Sequence, residues 1–466
     1  MNIFALIIGI AIPTLAGWML IRITEGSKPV LLRLERWFIG FVLGCALFTF
    51  TAFILERIGV IGFTLIGFII TSLLLFLILG TVVYKKRGKL FYSDVIPASS
   101  PPLNKFAWIL ILLIGAWIAV KIITGSILLV VSPPFQDDVI NNWNYRGKVF
   151  FHTQELTLDL ERGHGIVSSV GVSSYPPSVP LMKTWLSTLN GNWSEGLANS
   201  IHILWYLSAL YLLYCAIRRY RSKGWALLGV YLISSIPLYL IHGSIAYADV
   251  FVSLYLFIIL TSLYGAMRCK YDGKRTSFLR IGAITLALLI FTKNEGLALY
   301  VPIIALFTLI VISRYSSRKS LLFYIGSGAA VLMPWLIFKW ANGLSFGNAK
   351  SVTKLSLGWQ EGVMNAAWTN LFMNGNWIFL FLLLIVLLVF AYKKAWKGKL
   401  VIVTGFILAV IFAQLVIFLF TNLSVEAVMG TGYSRGIIHL VPLIVFLCIM
   451  LLPKSLSPSQ KVSDSI

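Results

Sequence analysis

Long apolar runs alternate with short polar segments along the whole chain, and this pattern predicts an all-α protein that crosses a membrane many times. A helix of about 20 residues, rising about 1.5 Å per residue, matches a hydrocarbon core of about 30 Å. The runs predict about thirteen transmembrane helices, at residues 3–21, 37–55, 60–83, 106–131, 198–217, 225–241, 246–267, 281–292, 297–313, 320–341, 376–391, 400–421 and 437–452. No strand periodicity or soluble domain interrupts them, so we expect residues 1–466 to form a single integral membrane domain.

Two polar segments are too long to be simple connections between helices. The first, residues 133–197, begins with Pro133-Pro134-Phe135-Gln136-Asp137-Asp138 and contains stretches that predict juxtamembrane helices. The second, residues 342–375, contains an amphipathic segment at 357–372 that we expect to lie on the membrane surface. A short tail, residues 453–466, ends the chain.

Basic residues are concentrated on alternate loops, and this placement predicts an orientation. The chain is 59% hydrophobic and 12% charged, with a net charge of +22. Of its 38 Lys and Arg residues, 27 lie on alternate loops that hold only five of the 16 acids; these loops are 22–36, 84–105, 218–224, 268–280, 314–319, 392–399 and the tail. Since cytoplasmic loops carry the excess of Lys and Arg, we expect a plasma (inner) membrane protein with an outer N-terminus, a cytoplasmic C-terminus and an outer 133–197 loop.

The same charge placement argues against nucleic acid as a partner. Nucleic-acid binding requires a basic patch on one accessible face, whereas the positive charge here is divided among membrane loops. Basic loops of this kind suit anionic lipid headgroups. The expected partner of these residues is therefore the lipid bilayer.

A polar interruption divides the apolar sequence between residues 281 and 313. Thr292-Lys293-Asn294-Glu295-Gly296 follows only about twelve residues after Arg280, and twelve helical residues reach about 18 Å, short of the 30 Å core. We expect two short helices here, with Lys293 and Glu295 below the outer surface. Interrupted membrane helices with charges are typical of substrate sites, and a purely structural Lys–Glu pair is the alternative.

The chemistry-bearing residues gather on the expected outer side and predict a catalytic loop. One of the adjacent carboxylates, Asp137 or Asp138, would act as general base towards an acceptor hydroxyl. The other would orient the acceptor, bind a divalent metal ion or pair with Lys293. Because nucleotide-linked donors are cytoplasmic, an outer site calls for a lipid-borne donor such as a polyprenyl-phosphate-linked sugar. Its phosphate needs cations, and the candidates are Lys293, Arg435 and Arg146.

Further polar residues are expected to support this site. Asp249 begins an apolar run on the same side, where it is either part of the site or an ordinary helix N-cap. Arg435 and His439 share one face of a helix end, and the flanking glycines favour a function over an interfacial anchor. Glu295 accompanies Lys293. No zinc-ligand spacing occurs in the sequence, so a metal ion would depend on Asp137 or Asp138.

Several short motifs occur in a fixed order between about residues 130 and 445. They are Asp137-Asp138, Trp143-Asn144-Tyr145-Arg146-Gly147-Lys148, Tyr175-Pro176-Pro177, Tyr247-Ala248-Asp249, Thr292-Lys293-Asn294-Glu295-Gly296 and Arg435 followed by His439-Leu440-Val441-Pro442. Together they resemble the glycosyltransferase C superfamily, in the bacterial branch related to protein mannosyltransferases and aminoarabinose transferases.

The resemblance implies an inverting transfer from a polyprenyl-phosphate sugar outside the membrane, with an aspartate of the first loop as base. It also implies supporting roles for residues within the motifs, namely Tyr175, Lys148 and His439. Many relatives have Asp-Glu or separated acids, and some have a soluble C-terminal domain. This chain has Asp137-Asp138 and a short tail, so the identity of the base, the need for a metal and the acceptor stay open.

Two other functions fit parts of the sequence. A transporter or flippase of a lipid-linked glycan would also use broken helices and buried charge, but its charges should follow a path through the bilayer. A polysaccharide polymerase or ligase would use a diphosphate donor and depend on Arg and His more than on an Asp pair. The acceptor could be a glycan, a lipid or a protein of the cell envelope.

Overall fold

The computed structural model describes residues 2–90, 95, 105–158, 172–344 and 358–453. In these ranges the regular secondary structure is helical, and no strand occurs. The first half contains α1 (Ile3–Glu25), α2 (Arg33–Arg57), α3 (Leu65–Lys85), α4 (Arg87–Leu90), α5 (Lys105–Val131), α6 (Asn144–Thr153), α7 (Ser178–Asn190), α8 (Glu195–Arg218), α9 (Lys223–Ser235) and α10 (Pro237–Gly243).

The second half is likewise helical. It contains α11 (Asp249–Arg268), α12 (Asp272–Ile290), α13 (Val301–Tyr315), α14 (Arg318–Ala341), α15 (Val363–Phe372), α16 (Leu380–Phe390), α17 (Val401–Phe420), α18 (Ser424–Val428), α19 (Gly432–Ile438) and α20 (Val441–Leu451). Two π-helical turns, Val139–Trp143 and Gly296–Tyr300, lead into α6 and α13.

The all-α polytopic membrane fold is confirmed, but the count of thirteen spans is not. Among the described residues, nine helices are long and apolar enough to cross a membrane, or eleven if the bent pairs α9–α10 and α19–α20 each count as one span. The remaining two predicted spans correspond to α12, which is interrupted by charges, and to α16, which has only 11 residues. All thirteen predicted segments therefore coincide with helices, while two fall outside the criteria for a full span.

The helix α11 lies at the centre of the bundle, and α5 lies at its edge. Every residue in the apolar window of α11 is buried, whereas none is buried in that of α5. A helix that is apolar all round can be enclosed on every side by other helices. The first residue of α11 is Asp249, so this carboxylate is placed at one end of the most enclosed element of the structure.

The first two helices cross at very close range. A Cβ atom added to Gly17 would lie 1.8 Å from the carbonyl oxygen of Gly40, and one added to Gly44 would lie 1.9 Å from that of Pro13. Small residues at a crossing allow two helix backbones to meet directly. At the connection between these helices, the Glu25 carboxylate accepts hydrogen bonds from the Val30 amide (2.8 Å), the Leu31 amide (3.0 Å) and Arg36 Nε (2.5 Å).

Several of the basic loops meet at one end of the bundle, as their alternation predicts. Arg219 pairs with Glu35, and the Ser277 hydroxyl donates to the Glu25 carbonyl at 2.6 Å. Arg221 and Lys394 both donate to the Leu452 carbonyl, at 2.5 and 3.0 Å. These contacts join the loops that precede or follow α2, α8, α12, α16 and α20. Which side of the membrane this end faces stays a prediction.

The two long polar segments contain short helices. The first holds α6 and the largely buried α7, so helices are present in this loop as expected. In the second, α15 (Val363–Phe372) covers the C-terminal part of the predicted amphipathic segment, and residues 345–357 lie outside the described ranges, as do residues 454–466 of the tail. The division of the chain into these loops stays a prediction.

The interruption around Lys293 is present, but the helix before it is longer than predicted. α12 starts at Asp272 and has 19 residues, equivalent to about 28 Å, so the expected short helix at 281–292 is wrong. Its first turns contain the basic residues assigned to a loop, because long Lys and Arg side chains can extend from a helix to a polar boundary. The helix ends at Ile290, and the chain turns before the π-helical turn that begins at Gly296.

Candidate active site

Asp249 is the hub of a buried polar cluster. Its Oδ1 atom accepts hydrogen bonds from Lys293 Nζ (2.8 Å) and His439 Nε2 (3.0 Å), and its Oδ2 atom accepts them from Arg435 Nε (3.2 Å) and His242 Nδ1 (3.1 Å). The Asp249 side chain is fully buried. A buried carboxylate is stable only when it is paired and hydrogen-bonded, and four donors meet that requirement here.

The hydrogen bonds beyond His439 fix the orientation of its ring. Gln414 Nε2 donates to the Tyr300 hydroxyl at 3.3 Å, and this hydroxyl lies 2.5 Å from His439 Nδ1. Because the Asp249 carboxylate can only accept, a neutral His439 carries its proton on Nε2, and its Nδ1 accepts the proton of the Tyr300 hydroxyl. A neutral His439 therefore satisfies both of its neighbours.

Asp249 is unsuited to act as the base, because both of its oxygens are already occupied by donors. Two of these donors, Lys293 and Arg435, carry a full positive charge and favour the ionised carboxylate. A general base needs a lone pair that faces the substrate proton. The geometry instead gives Asp249 the role of holding cations in place.

Arg435 connects this hub to the acidic pair identified in the sequence. Its Nη2 atom lies 2.6 Å from Asp138 Oδ2, while its Nε atom bonds Asp249. Its guanidinium stacks over the Tyr247 ring, with 4.8 Å to the ring centre. The Arg435 and Asp138 side chains are 25% and 31% exposed, so this ion pair lies at the accessible edge of the cluster.

The structure separates the two adjacent aspartates. Asp138 points towards Arg435, whereas Asp137 is exposed and accepts a hydrogen bond from the Asn141 amide on the next turn. Asp138 also immediately precedes the π-helical turn Val139–Trp143, a wide turn that is frequent at functional sites. Of the pair, only Asp138 joins the described cluster.

Lys293 lies in the buried part of the cluster. It is 2% exposed and sits between two carboxylates, at 2.8 Å from Asp249 Oδ1 and 3.2 Å from Glu295 Oε1. The Glu295 side chain is 41% exposed and directly precedes the second π-helical turn. Lys293 therefore supplies positive charge from beneath the site, whereas Arg435 reaches its surface.

Tyr175 borders the cluster, and Arg146 lies behind it. Burial and the nearby Glu295 carboxylate raise the pKa of the Tyr175 hydroxyl well above its usual range, and Arg435 opposes this shift. Arg146 Nη2 donates to the Tyr175 carbonyl at 3.0 Å, and burial lowers the pKa of Arg146 to about 9. Arg146 is thus bonded to the Tyr175 backbone and is itself only 2% exposed, so it is not at the accessible edge of the cluster.

Two further expectations concern Lys148 and a metal ion. Lys148 is exposed on α6, and none of the described contacts brings it into the cluster. A metal held by Asp137 or Asp138 does not fit the arrangement, since these carboxylates point to Asn141 and Arg435. Within the described ranges, no group of three or more His, Cys, Asp or Glu residues could hold a metal ion.

A second buried network supports the segment that carries Asp138. Lys183 on α7 donates to the side-chain oxygens of Asn144, the first residue of α6, and of Asn199 on α8, the latter at 3.1 Å. Asn144 in turn donates to Glu195, which also accepts a 2.7 Å hydrogen bond from Trp193 Nε1. Burial lowers the pKa of Lys183 to about 7. Three helices are therefore joined directly behind the π-helical turn.

Sequence reasoning missed four of these residues. Gln414 could have been found, because it is an isolated amide within an apolar membrane run. Lys183 is an isolated cation in a helix with an apolar face, which is a similar signal. His242 and Tyr300 have no comparable signal, since the partner of His242 lies across the turn between two helices and that of Tyr300 lies 139 residues away in the chain.

Comparisons with known proteins agree with this architecture. No family model matches the sequence, and no curated protein matches it. A solved structure does match, namely the crystal structure of ArnT from Cupriavidus metallidurans bound to undecaprenyl phosphate, with a TM-score of 0.50 and 13% sequence identity. The match covers 76% of this chain but only 61% of the ArnT chain. The chain therefore shares the fold of this ArnT structure over the matched part, in agreement with the fold that the ordered motifs predicted.

Proposed function

We propose that this protein is an inverting glycosyltransferase that moves a sugar from a polyprenyl-phosphate donor to an acceptor hydroxyl at the outer face of the membrane. The observation that carries the proposal is the Arg435 bridge, which holds Asp138 at 2.6 Å beside a buried hub of positive charge. This bridge puts a base and a phosphate-binding cation side by side. The similar fold of ArnT, solved with undecaprenyl phosphate bound, supports a lipid-phosphate donor.

In the proposed reaction Asp138 takes the proton of the acceptor hydroxyl. The hydroxyl oxygen attacks the anomeric carbon and forms the new glycosidic bond, while the bond between that carbon and the phosphate oxygen breaks. The electron pair leaves with the phosphate, so the products are the glycosylated acceptor and polyprenyl phosphate. Attack from the side opposite the leaving group inverts the anomeric centre.

Arg435 would couple donor binding to activation of the base. Its partly exposed guanidinium is suited to the bidentate contacts that phosphate groups favour. When a donor phosphate binds Arg435, it competes with Asp138 for the same cation. The freed Asp138 carboxylate can then accept the proton of the acceptor hydroxyl, because its oxygen is no longer occupied by the guanidinium. Asp249, which also pairs with Lys293, holds Arg435 in place throughout.

Mass spectrometry of cell-envelope glycans and lipids from a deletion strain tests this function. Loss of a single sugar unit is expected, together with accumulation of its polyprenyl-phosphate donor. The wild-type gene and the Asp137→Asn variant should restore the unit, whereas Asp138→Asn should transfer it about 10²–10⁴-fold more slowly, the usual contribution of a general base.

Two results would contradict the proposal in different ways. Full activity of the Asp138→Asn variant would remove the assigned base. Accumulation of a complete lipid-linked glycan in the deletion strain, with no sugar missing from it, would indicate a flippase. Asp137→Asn serves as the matched control because it changes the neighbouring carboxylate, which points away from the cluster.

A further inference from the structure

An apolar groove runs between α1 and α5, with α8 at its back. Its volume is about 840 Å³, which lies within the range of about 300–1,000 Å³ that is typical of ligand sites. Ile7 on α1 and Ile127 on α5 line it and are 58% and 57% exposed. The groove is therefore open along its side at the level of the apolar helices.

The walls of the groove are suited to a hydrocarbon chain. They consist of aliphatic side chains and Trp37, together with the hydroxyl groups of Thr14, Ser126 and Ser200. Apolar cavities stay dry because water finds too few hydrogen-bond partners in them. In a bilayer, a gap of this kind between two helices is filled by lipid chains.

One end of the groove adjoins the segment that carries Asp138. Ile203 lines the groove and packs against the small buried cluster formed by Leu129, Val139 and Ala246. Val139 is the residue directly after Asp138. A small cavity at this end is bordered by residues 132–136 and by Ser244, so a molecule that lies in the groove would have its head beside the acidic pair.

The chemistry of this end favours an uncharged headgroup with hydroxyls. Among the described residues that line the groove and the small cavity, none is a Lys or Arg. The polar groups that border the small cavity are hydroxyl and amide groups, including Ser132, Gln136 and Asn199. Directly beyond Gln136 lie the carboxylates Asp137 and Asp138. A phosphate head would find no cationic partner among these lining residues; Arg435, which pairs with Asp138, is not one of them.

We propose that the groove binds the acceptor, and that the acceptor is a membrane lipid with an uncharged, hydroxyl-bearing head. This inference rests on the proposed function, since it places an acceptor hydroxyl at Asp138, the assigned base. The hydrocarbon chains lie between α1 and α5, and the head reaches the Asp138 edge of the cluster. The donor phosphate binds on the other side of Asp138, at Arg435.

Photo-crosslinking tests the site independently of turnover. The full protein in lipid nanodiscs is exposed to a monoglycosyl diacylglycerol that carries a diazirine in one acyl chain. Phosphatidylglycerol and polyprenyl phosphate with equivalent diazirines serve as comparison probes. Peptide mass spectrometry should locate the glycolipid label on residues 6–15 of α1 and 126–131 of α5, and these segments should be labelled several-fold less by the anionic probes.

Groove-filling variants test the role of the site in transfer. Ala11→Trp and Ile127→Trp place a large ring in the groove and should raise the KM for the glycolipid about tenfold, equivalent to about 1.4 kcal/mol, with little change in kcat. The matched control is Ile325→Trp, a change on the 59% exposed surface of α14 that should leave KM unchanged.

The possible results separate the two proposals. Equal labelling by phosphatidylglycerol, or preferential labelling by polyprenyl phosphate, would overturn the acceptor site whether or not the protein transfers sugar. Glycolipid labelling without any transfer activity would leave a lipid site but overturn the proposed function. If the groove-filling variants fail to fold, the labelling pattern of the wild-type protein still decides the question.

Discussion

Asp249 and Lys293 are buried and oppositely charged. Each offsets the free-energy cost of burying the other in an interior of low dielectric constant. Both side chains are at most 2% exposed, and their charged atoms lie 2.8 Å apart. Removing one member of such a pair leaves the other uncompensated, which typically costs about 3–5 kcal/mol, whereas replacing both by apolar groups is often neutral. The stability of the folded protein therefore depends on Asp249 and Lys293 together.

We predict that Asp249→Asn lowers the free energy of unfolding by about 3–5 kcal/mol, because Lys293 and Arg435 lose the carboxylate that they share. The additional change Lys293→Met should recover a substantial part of this loss. Thermal unfolding in detergent measures both effects. If the loss in the free energy of unfolding of the double variant equals the sum of the losses of the two single variants, the pair is not coupled as the structure indicates.

At the residue scale, the sequence predicted the members of the cluster more accurately than it predicted the contacts between them. Asp249, Lys293, Arg435 and His439 form one cluster, although they come from three distant motifs. The ordinary N-cap alternative for Asp249 is wrong, since Ala248 occupies the cap position. The difference between Asp137 and Asp138 could not be predicted, because it depends on a π-helical turn that follows them.

At the scale of helices, the Lys183 network fixes α6 against α7 and α8. The titratable groups near Lys183 are Glu195, which opposes the effect of burial on the Lys183 pKa, and His202 on α8. Since Asn144 is the first residue after the π-helical turn, this network sets the position from which Asp138 approaches Arg435. It is a structural support and does not contact the proposed substrates.

The lowered pKa of Lys183 predicts a pH dependence of stability. Unfolded lysine has a pKa of about 10.4, whereas burial lowers it to about 7 in the folded protein. Between these values the unfolded chain binds more protons, so the contribution of Lys183 to stability should rise from pH 7 to pH 10 and decline as the pH falls. Melting curves of wild type and Lys183→Met should diverge progressively over this range.

A constant difference between the two melting temperatures from pH 7 to pH 10 would contradict this assignment. It would mean that Lys183 keeps its proton in the folded state across the range. A lysine elsewhere serves as the control: Lys148→Met changes an exposed side chain on α6 and should leave the pH dependence as it is in the wild type.

The helix breaks were harder to predict than the helices. The interruption after α12 was visible because charged residues stand between apolar runs. The 80° bend between α9 and α10 was not predicted, although Pro237 begins the second helix and proline often starts a new helix at its first position. The length of α12 could not be predicted, because the basic residues in its first turns have the pattern of a loop.

On the scale of the whole molecule, the alternating loops define two chemically different ends. The basic loops meet at one end and the Asp249 cluster lies at the other, which agrees with the alternation read from the sequence. The sequence could give this alternation because charge placement follows membrane topology closely. The sequence could not predict the groove, because the groove depends on how α1 and α5 pack against α8.

The predicted orientation can be measured by labelling introduced cysteines in intact cells with a membrane-impermeant maleimide. Asn192→Cys, next to the start of α8, should be labelled from outside, because it lies at the end that carries Asp138. Tyr271→Cys, which is at the basic end and 66% exposed in the wild type, should be labelled only after the cells are permeabilised. The reverse pattern would invert the orientation and contradict an outer active site.

The close crossing of α1 and α2 has a consequence for biogenesis. The contacts between the two helices, from the Gly17–Gly40 approach to the hydrogen bonds of the Glu25 carboxylate, lie within the first 57 residues. A ribosome that has released only these residues has already released everything that the pair needs, so the two helices should enter the bilayer as one hairpin. A nascent chain stopped after Arg57 should therefore show cross-linking between its helices, and Gly17→Leu should abolish it.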